Sequence, residues 1–210
     1  MQGKLEKQKQ DFLDACRRIG EYDLLRYSSG NLSCRIDNNR VLISASKSWL
    51  AELETGQISL CELETGKLID GLKPTIESSF HFGILKKRED VNVVLHFQSP
   101  FATAIACSKK PLDYNFGIII EVPVYIGTPG LVPYSPPGST ELAENIIESA
   151  RKHDMIIMRN HGLVTVGEDY NDAIQKAGFF ELACQVLLTT PDPVFLTPQQ
   201  AEQLRQVGSG

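Results

Sequence analysis

His96 and Gln98 stand two residues apart at the end of a β-branched run, Val91, Val93, Val94 and Leu95. The run is too short for a helix, so the pattern predicts a strand. Side chains alternate along a strand, which puts His96 and Gln98 on one face. Upstream, Ser78 to Lys87 spaces Phe80, Ile84 and Leu85 as on one side of a helix, and Glu77 falls in that helix's first turn. A second histidine, His161, follows another apolar run, Met155 to Met158, in the polar turn Arg159-Asn160-His161-Gly162. Two imidazoles, an amide oxygen and a carboxylate are the parts of a metal site. Spacing alone leaves that reading open, because nothing local brings His96 and His161 together. A single histidine at a strand end is more often a hydrogen-bonded rim residue than a ligand. A carboxylate in a first helical turn is commonly there for the helix dipole.

The elements that must position these residues belong to a chain of 210 residues, a length that suits one domain with a sizeable core. Hydrophobic residues make up 42% and charged residues 22%, as in globular proteins. The net charge is −5 and no Lys/Arg run occurs, which argues against a nucleic-acid partner. An anionic substrate would then need local positive groups. No stretch of about 18 apolar residues is present, so no membrane span is expected. The first residues, MQGKLEKQKQDF, lack the apolar core of a signal peptide. Cys16, Cys34, Cys61, Cys107 and Cys184 are odd in number and scattered, with no CxxC. Reduced thiols in a cytoplasmic protein fit that pattern better than a disulfide framework.

In order, Leu5 to Gly20 reads as an amphipathic helix, and the stretches before and after Asp37-Asn38-Asn39 as a hairpin. Ser44 to Ser48 is a small-polar loop with one cation, of the kind that can offer N–H groups and hydroxyls to an oxyanion. More often such a stretch is simply a loop. A second hairpin is expected around Thr65-Gly66, a helix over Ser99 to Ser108, and a buried strand over Gly117 to Tyr125. Gly127 to Gly138 reads as a long loop, and Ser139 or Thr140 caps the next helix. Tyr170 to Leu188 is the last long helix, followed by a polar tail helix at most. Hairpins occur as well as strand–helix alternation, and neither GxGxxG nor GxxxxGK[ST] is present. The expected fold is α/β (α+β-like), a mainly antiparallel sheet with helices on both faces. A single domain should span residues 1–207, with a disordered tail at 208–210.

Six segments in this order resemble the class II aldolase/adducin family: SSGNLSCR at 28–35, SASKS at 44–48, KPTIE at 73–77, VNVVLHFQSPFATAIA at 91–106, PYSPPGSTEL at 133–142 and RNHGLVTVGED at 159–169. The resemblance covers roughly residues 8 to 195. It implies a homotetramer with sites at subunit interfaces, and one divalent ion per chain, usually zinc, held by three histidines. His96 and His161 match two of them, and Gln98 stands where the family has the other. Glu77 matches the catalytic carboxylate. Ser28, Asn31, Ser46, Lys47 and Thr75 fall in segments that grip the substrate phosphate. Tyr114 lies near a tyrosine that, in the aldolase, reaches a neighbour's site. The implied reaction is aldol-type cleavage or formation of a C–C bond in a small phosphorylated or otherwise anionic sugar, through a metal-stabilised enediolate. Epimerisation and dehydration on the same scaffold are the alternatives, as is a non-catalytic interaction module like the adducin head.

The sequence departs from the family at three points. Gln98 supplies a neutral oxygen instead of an imidazole, which lowers zinc affinity and makes Mn, Fe or Mg more competitive, unless Glu77 completes the ligand set. Lys47 enters the anion loop, while Ile76 replaces a serine. His81 and His153 match nothing in the pattern, His153 reading as a solvated helix-end residue. There is no HExxH and no GxSxG elbow for a hydrolase.

Overall fold

The computed structural model describes residues 2–208, and of the tail expected at 208–210, residues 209 and 210 lie outside the described residues. Eight strands form one sheet: β1 (Asn31–Arg35), β2 (Arg40–Ser44), β3 (Ile58–Glu62), β4 (Leu68–Asp70), β5 (Val93–Phe97), β6 (Gly130–Val132), β7 (Met155–Met158) and β8 (Gly162–Gly167). Their spatial order is β4-β3-β2-β1-β5-β8-β7-β6. Every pairing is antiparallel except β6 with β7. Six α-helices accompany it: α1 (Gln2–Glu21), α2 (Ser78–Lys87), α3 (Pro100–Ala106), α4 (Thr140–Ala150), α5 (Tyr170–Thr189) and α6 (Pro198–Gly208). The expected antiparallel α/β architecture is therefore borne out.

Both faces of the sheet are buried, because alternate side chains feed two separate apolar layers. Leu32, Leu42, Val93, Leu95, Phe97 and Leu163 pack toward α1, α3 and α5. Val41, Ile43, Val94, Ile156, Val164 and Val166 pack toward α2 and α4. The second layer has a polar island. Asn31 and Ser33 on β1 alternate with Leu32, and His96 alternates with Leu95 and Phe97, so all three point to the α2 side. Asn31 lies directly across from His96 in the β1–β5 register.

Two segments depart from the sequence reading. Gly117 to Tyr125 is not a buried strand. Val122–Ile126 forms a π-helical turn closed by the Gly127 N–H on the Val122 carbonyl, and Ile120 and Tyr125 are exposed. The Ile/Val density is that of a strand, but Pro123 has no N–H for a central ladder and is tolerated in a first helical turn. Gly127 to Gly138 is not all loop, since three of its residues pair with β7 as β6. Such a short edge strand carries no alternation to read.

Helix starts follow the expected chemistry. The Ser139 hydroxyl accepts from the Leu142 N–H, and the Asp169 carboxylate accepts from the Asp172 N–H. Glu77 sits one residue earlier than expected, at the N-cap of α2, and its side chain makes no cap hydrogen bond. Its carboxylate is free to face elsewhere. The five cysteines are all free thiols, three of them buried. No helix among the described residues is long and apolar enough to cross a membrane.

Candidate active site

The central strands β1, β5 and β8 meet at one end of the sheet, and the candidate residues gather there. β1 begins with Asn31. β5 ends after His96, with Gln98 just beyond, and the β7–β8 turn carries His161 immediately before Gly162. Two glycines let the pieces approach. A Cβ on Gly162 would lie 2.8 Å from the Phe97 carbonyl oxygen and 3.1 Å from His96 Cε1. Gly30 has φ +80°, and a Cβ there would sit 2.7 Å from the His96 carbonyl oxygen. Side chains at either position would push the histidine strand away.

The rim comes from two loops joined to each other. Ala45 and Pro74 form an antiparallel bridge, the Ser46 N–H donates to the Lys73 carbonyl, and the Thr75 N–H donates to the Ser44 carbonyl. Lys47 has φ +65° and is exposed. The resulting cavity of about 360 Å³ is lined by Ser28, Asn31, Ser46, Lys47, Thr75, Glu77, His96, Gln98 and His161, with Ile76 and Pro137 at its edge. Every predicted site residue except Tyr114 thus borders one space. Tyr114 lines a different cavity of about 440 Å³, beside Phe116, Val122 and Pro123.

At the floor, Glu77 lies between the two imidazoles. Its Oε2 is 3.7 Å from His96 Nε2 and its Oε1 is 3.5 Å from His161 Nε2. The ring centroids of His96 and His161 are 4.9 Å apart. These distances are too long for hydrogen bonds. They are close to the roughly 3.3 Å edge between neighbouring donors around a tetrahedral ion with bonds of about 2.0–2.1 Å. One ligand atom from each of Glu77, His96 and His161 falls within 4.8 Å of the others. His96 Nδ1 meets the Leu163 carbonyl at 2.8 Å, which places the ring proton there and leaves Nε2 bare toward Glu77. Glu77 Oε1 and His161 Nδ1 are buried with no hydrogen-bond partner. Unsatisfied polar atoms at one buried point are costly. This donor set therefore fits a divalent cation.

Gln98 is held as well. Its amide nitrogen donates to the His161 carbonyl at 2.8 Å, which leaves its oxygen as the atom available to a ligand. Burial and the neighbouring His96 hold the His161 imidazole below its ordinary range, with Glu77 pulling the other way. A neutral, lone-pair-bearing ring is the form a metal needs.

His81, which sequence reasoning left unassigned, adjoins the site. It is fully buried on α2, one turn beyond Glu77, with Nε2 against Asn31 Oδ1 and Nδ1 2.7 Å from Ser33 Oγ. Asn31 Nδ2 in turn donates to Glu77 Oε2 at 2.8 Å. The i, i+4 spacing of Glu77 and His81 was the available signal. The remaining histidine, His153, lies just past α4 and bonds the Thr128 carbonyl.

Burial holds His81 well below its ordinary value of 6.5, with His96 adding to the effect. A histidine whose folded pKa is depressed contributes stability above its unfolded pKa and loses it as pH falls. The metal-free protein is therefore expected to lose stability below about pH 6.5, by up to about 1.4 kcal/mol per pH unit for each such group. Chemical denaturation at a series of pH values reads this directly. A flat profile between pH 7 and 5 would mean that His81 takes a proton without penalty.

The sheet order, the two apolar layers and the His-His-Glu floor beneath a loop-built rim define a class of α/β protein with a metal-ready cavity at one end of its sheet. The chain belongs to the class II aldolase and adducin N-terminal domain family, whose model matches residues 10–188. Among its relatives, an L-fuculose phosphate aldolase from Methanococcus maripaludis is 34% identical over 84% of this chain and 93% of that one. A 3-oxo-tetronate 4-phosphate decarboxylase from Haemophilus influenzae is 32% identical over 86% of this chain and 87% of that one. A sugar-phosphate aldolase from Thermotoga maritima shares the fold with a TM-score of 0.80 at 21% identity, over 88% of this chain and 94% of that one. The resemblance carried by the six sequence segments is borne out.

Proposed function

We propose that this protein is a metal-dependent lyase that breaks a C–C bond beside a carbonyl in a small sugar phosphate or phosphorylated sugar acid. The observation that carries the reading is the bare Glu77 Oε1 held between His96 and His161 at the floor of a polar cavity. Glu77, His96 and His161, with the Gln98 oxygen in reserve, would hold one divalent ion, zinc before manganese, iron or magnesium. Bound there, the ion acts as a Lewis acid that draws charge from the substrate's carbonyl and hydroxyl oxygens. Glu77 Oε1, a ligand at rest, would serve as the proton acceptor for the substrate hydroxyl during turnover, and it is buried between the two imidazoles. Ser28, Ser46, Thr75 and the Lys47 ammonium line the rim and would bind the anionic end. Asn31 is placed behind Glu77 instead, because its amide is engaged with Glu77 and His81.

Aldol cleavage and loss of carbon dioxide from a 3-oxo acid both leave an electron pair on the carbon beside a ketone. The relatives include both kinds of enzyme, so two substrates separate them. The purified, metal-loaded protein should release either an aldehyde from L-fuculose 1-phosphate or carbon dioxide from a 3-oxo-tetronate 4-phosphate. A protein that neither binds a divalent ion nor cleaves either compound would be the non-catalytic interaction module. The working unit is proposed to be a cytoplasmic homotetramer. Tyr114 lines a different cavity of its own chain, and its proposed role is in a neighbour's site within that tetramer.

Gln98→His should tighten Zn²⁺ by about tenfold or more, since imidazole suits zinc better than an amide oxygen. Competition with a chromophoric chelator measures this. Unchanged affinity would show that position 98 does not reach the ion.

A further inference from the structure

The buried file behind Glu77 has one consistent arrangement of protons. A carboxylate oxygen can only accept, so the Asn31 group facing Glu77 Oε2 at 2.8 Å is its NH₂. Asn31 Oδ1 then faces His81 Nε2, which must carry the ring proton. That leaves His81 Nδ1 as an acceptor, and the Ser33 hydroxyl, 2.7 Å away, as its donor. Ser33 and His81 are fully buried, and Asn31, 6% exposed, ends the file at the cavity wall. None of its side-chain atoms lacks a partner, whereas Oε1 of the carboxylate it ends on has none. The residues come from β1 and α2 and are 46 to 50 positions apart along the chain. The His81 ring also stacks on Phe80 with centroids 4.5 Å apart, which fixes its plane.

We propose that His81 is a positioning residue: through Asn31 it fixes which oxygen of Glu77 acts, holding Oε2 occupied and presenting Oε1 bare to His161 and the cavity. This rests on the lyase reading for its catalytic meaning, but not for its geometry. A carboxylate with two equivalent oxygens and free torsions would spend much of its time with neither aimed correctly. The file removes that freedom with neutral groups only, so no buried charge has to be compensated. It also explains why Ser33, a polar residue on an apolar sheet face, is tolerated there: its hydroxyl sets the histidine tautomer.

The test compares His81→Phe with His81→Gln. Phenylalanine keeps the ring and its stacking but can neither donate to Asn31 nor accept from Ser33. Glutamine offers both functions and cannot take up a proton. In His81→Phe, kcat should fall about 10–100-fold with KM little changed, and Co²⁺ affinity, read from its visible absorption, should weaken by a similar factor. His81→Gln should recover most of both. If His81→Phe folds and binds Co²⁺ as tightly as the parent, the positioning role is overturned, while the lyase reading stands. If both variants lose metal affinity and turnover equally, the donor and acceptor that glutamine restores are not what holds Glu77, and the proposal likewise fails. Should the parent bind Co²⁺ yet cleave neither sugar phosphate, the lyase reading falls. The affinity comparison then still decides the role of His81.

Discussion

Glu77→Gln is expected to reduce turnover by about 10²–10⁴-fold, the usual contribution of a positioned acid–base group, while the fold survives. The substitution is nearly isosteric. A glutamine carbonyl oxygen in the Oε2 position can still accept from Asn31 Nδ2, so the file behind it has no reason to collapse. What changes is the other position, where an NH₂ donor replaces the bare Oε1 facing His161 Nε2. That group can neither take a proton from the substrate nor serve as an anionic ligand. Steady-state kinetics on the parent's substrate, with circular dichroism as a control for folding, measure the effect. Turnover within a few fold of the parent would remove Glu77 from the chemistry.

His161→Ala is the second substitution with a large expected effect, and it acts on the ion instead of the proton. His161 is half-buried and its Nδ1 has no protein partner, so its ring is held in place by packing and by whatever Nε2 meets. Removing it leaves Glu77 and His96 as a two-donor remnant. Divalent-metal affinity should then drop by more than the about 10–100-fold typical of losing a group that only supports a ligand. Elemental analysis should find about one ion per chain in the parent and none in the variant. Equal metal content in both would place the ion elsewhere. The two experiments are complementary, because Glu77→Gln removes the base and weakens the ion's site together, whereas His161→Ala removes a ligand and leaves the carboxylate in place.

Much of the site was legible in the sequence because its residues sit at element ends with clear local signals. The β-branched run placed His96 on a strand, the period of two placed Gln98 beside it, and the turn at Asn160 placed His161 at the head of β8. What brought them together was not local. His96 and His161 meet because β5 and β8 are neighbours with Phe97 paired to Leu163, and no spacing rule encodes that. His81 was opaque for the same reason. Its partners Asn31 and Ser33 lie on β1, and a histidine amid Phe80, Phe82 and Ile84 looks like any core residue. Gly117 to Tyr125 was misread because the Ile and Val content of a strand was weighed above Pro123. The position of Tyr114 depends on that same irregular region.

The bridge between Ala45 and Pro74 has a consequence for how such a protein can change over time. His96 and His161, the two histidines of the metal-ready floor, sit on or beside the central strands, where a substitution disturbs two apolar layers at once. The rim loops 44–48 and 73–76 are joined to each other through that bridge and its two flanking hydrogen bonds. On the proposed function, replacements such as lysine at 47 or isoleucine at 76 would alter what the cavity grips more than what it does. Under that reading, selection could exchange one anionic substrate for another at the rim while the histidines on the sheet stay as they are.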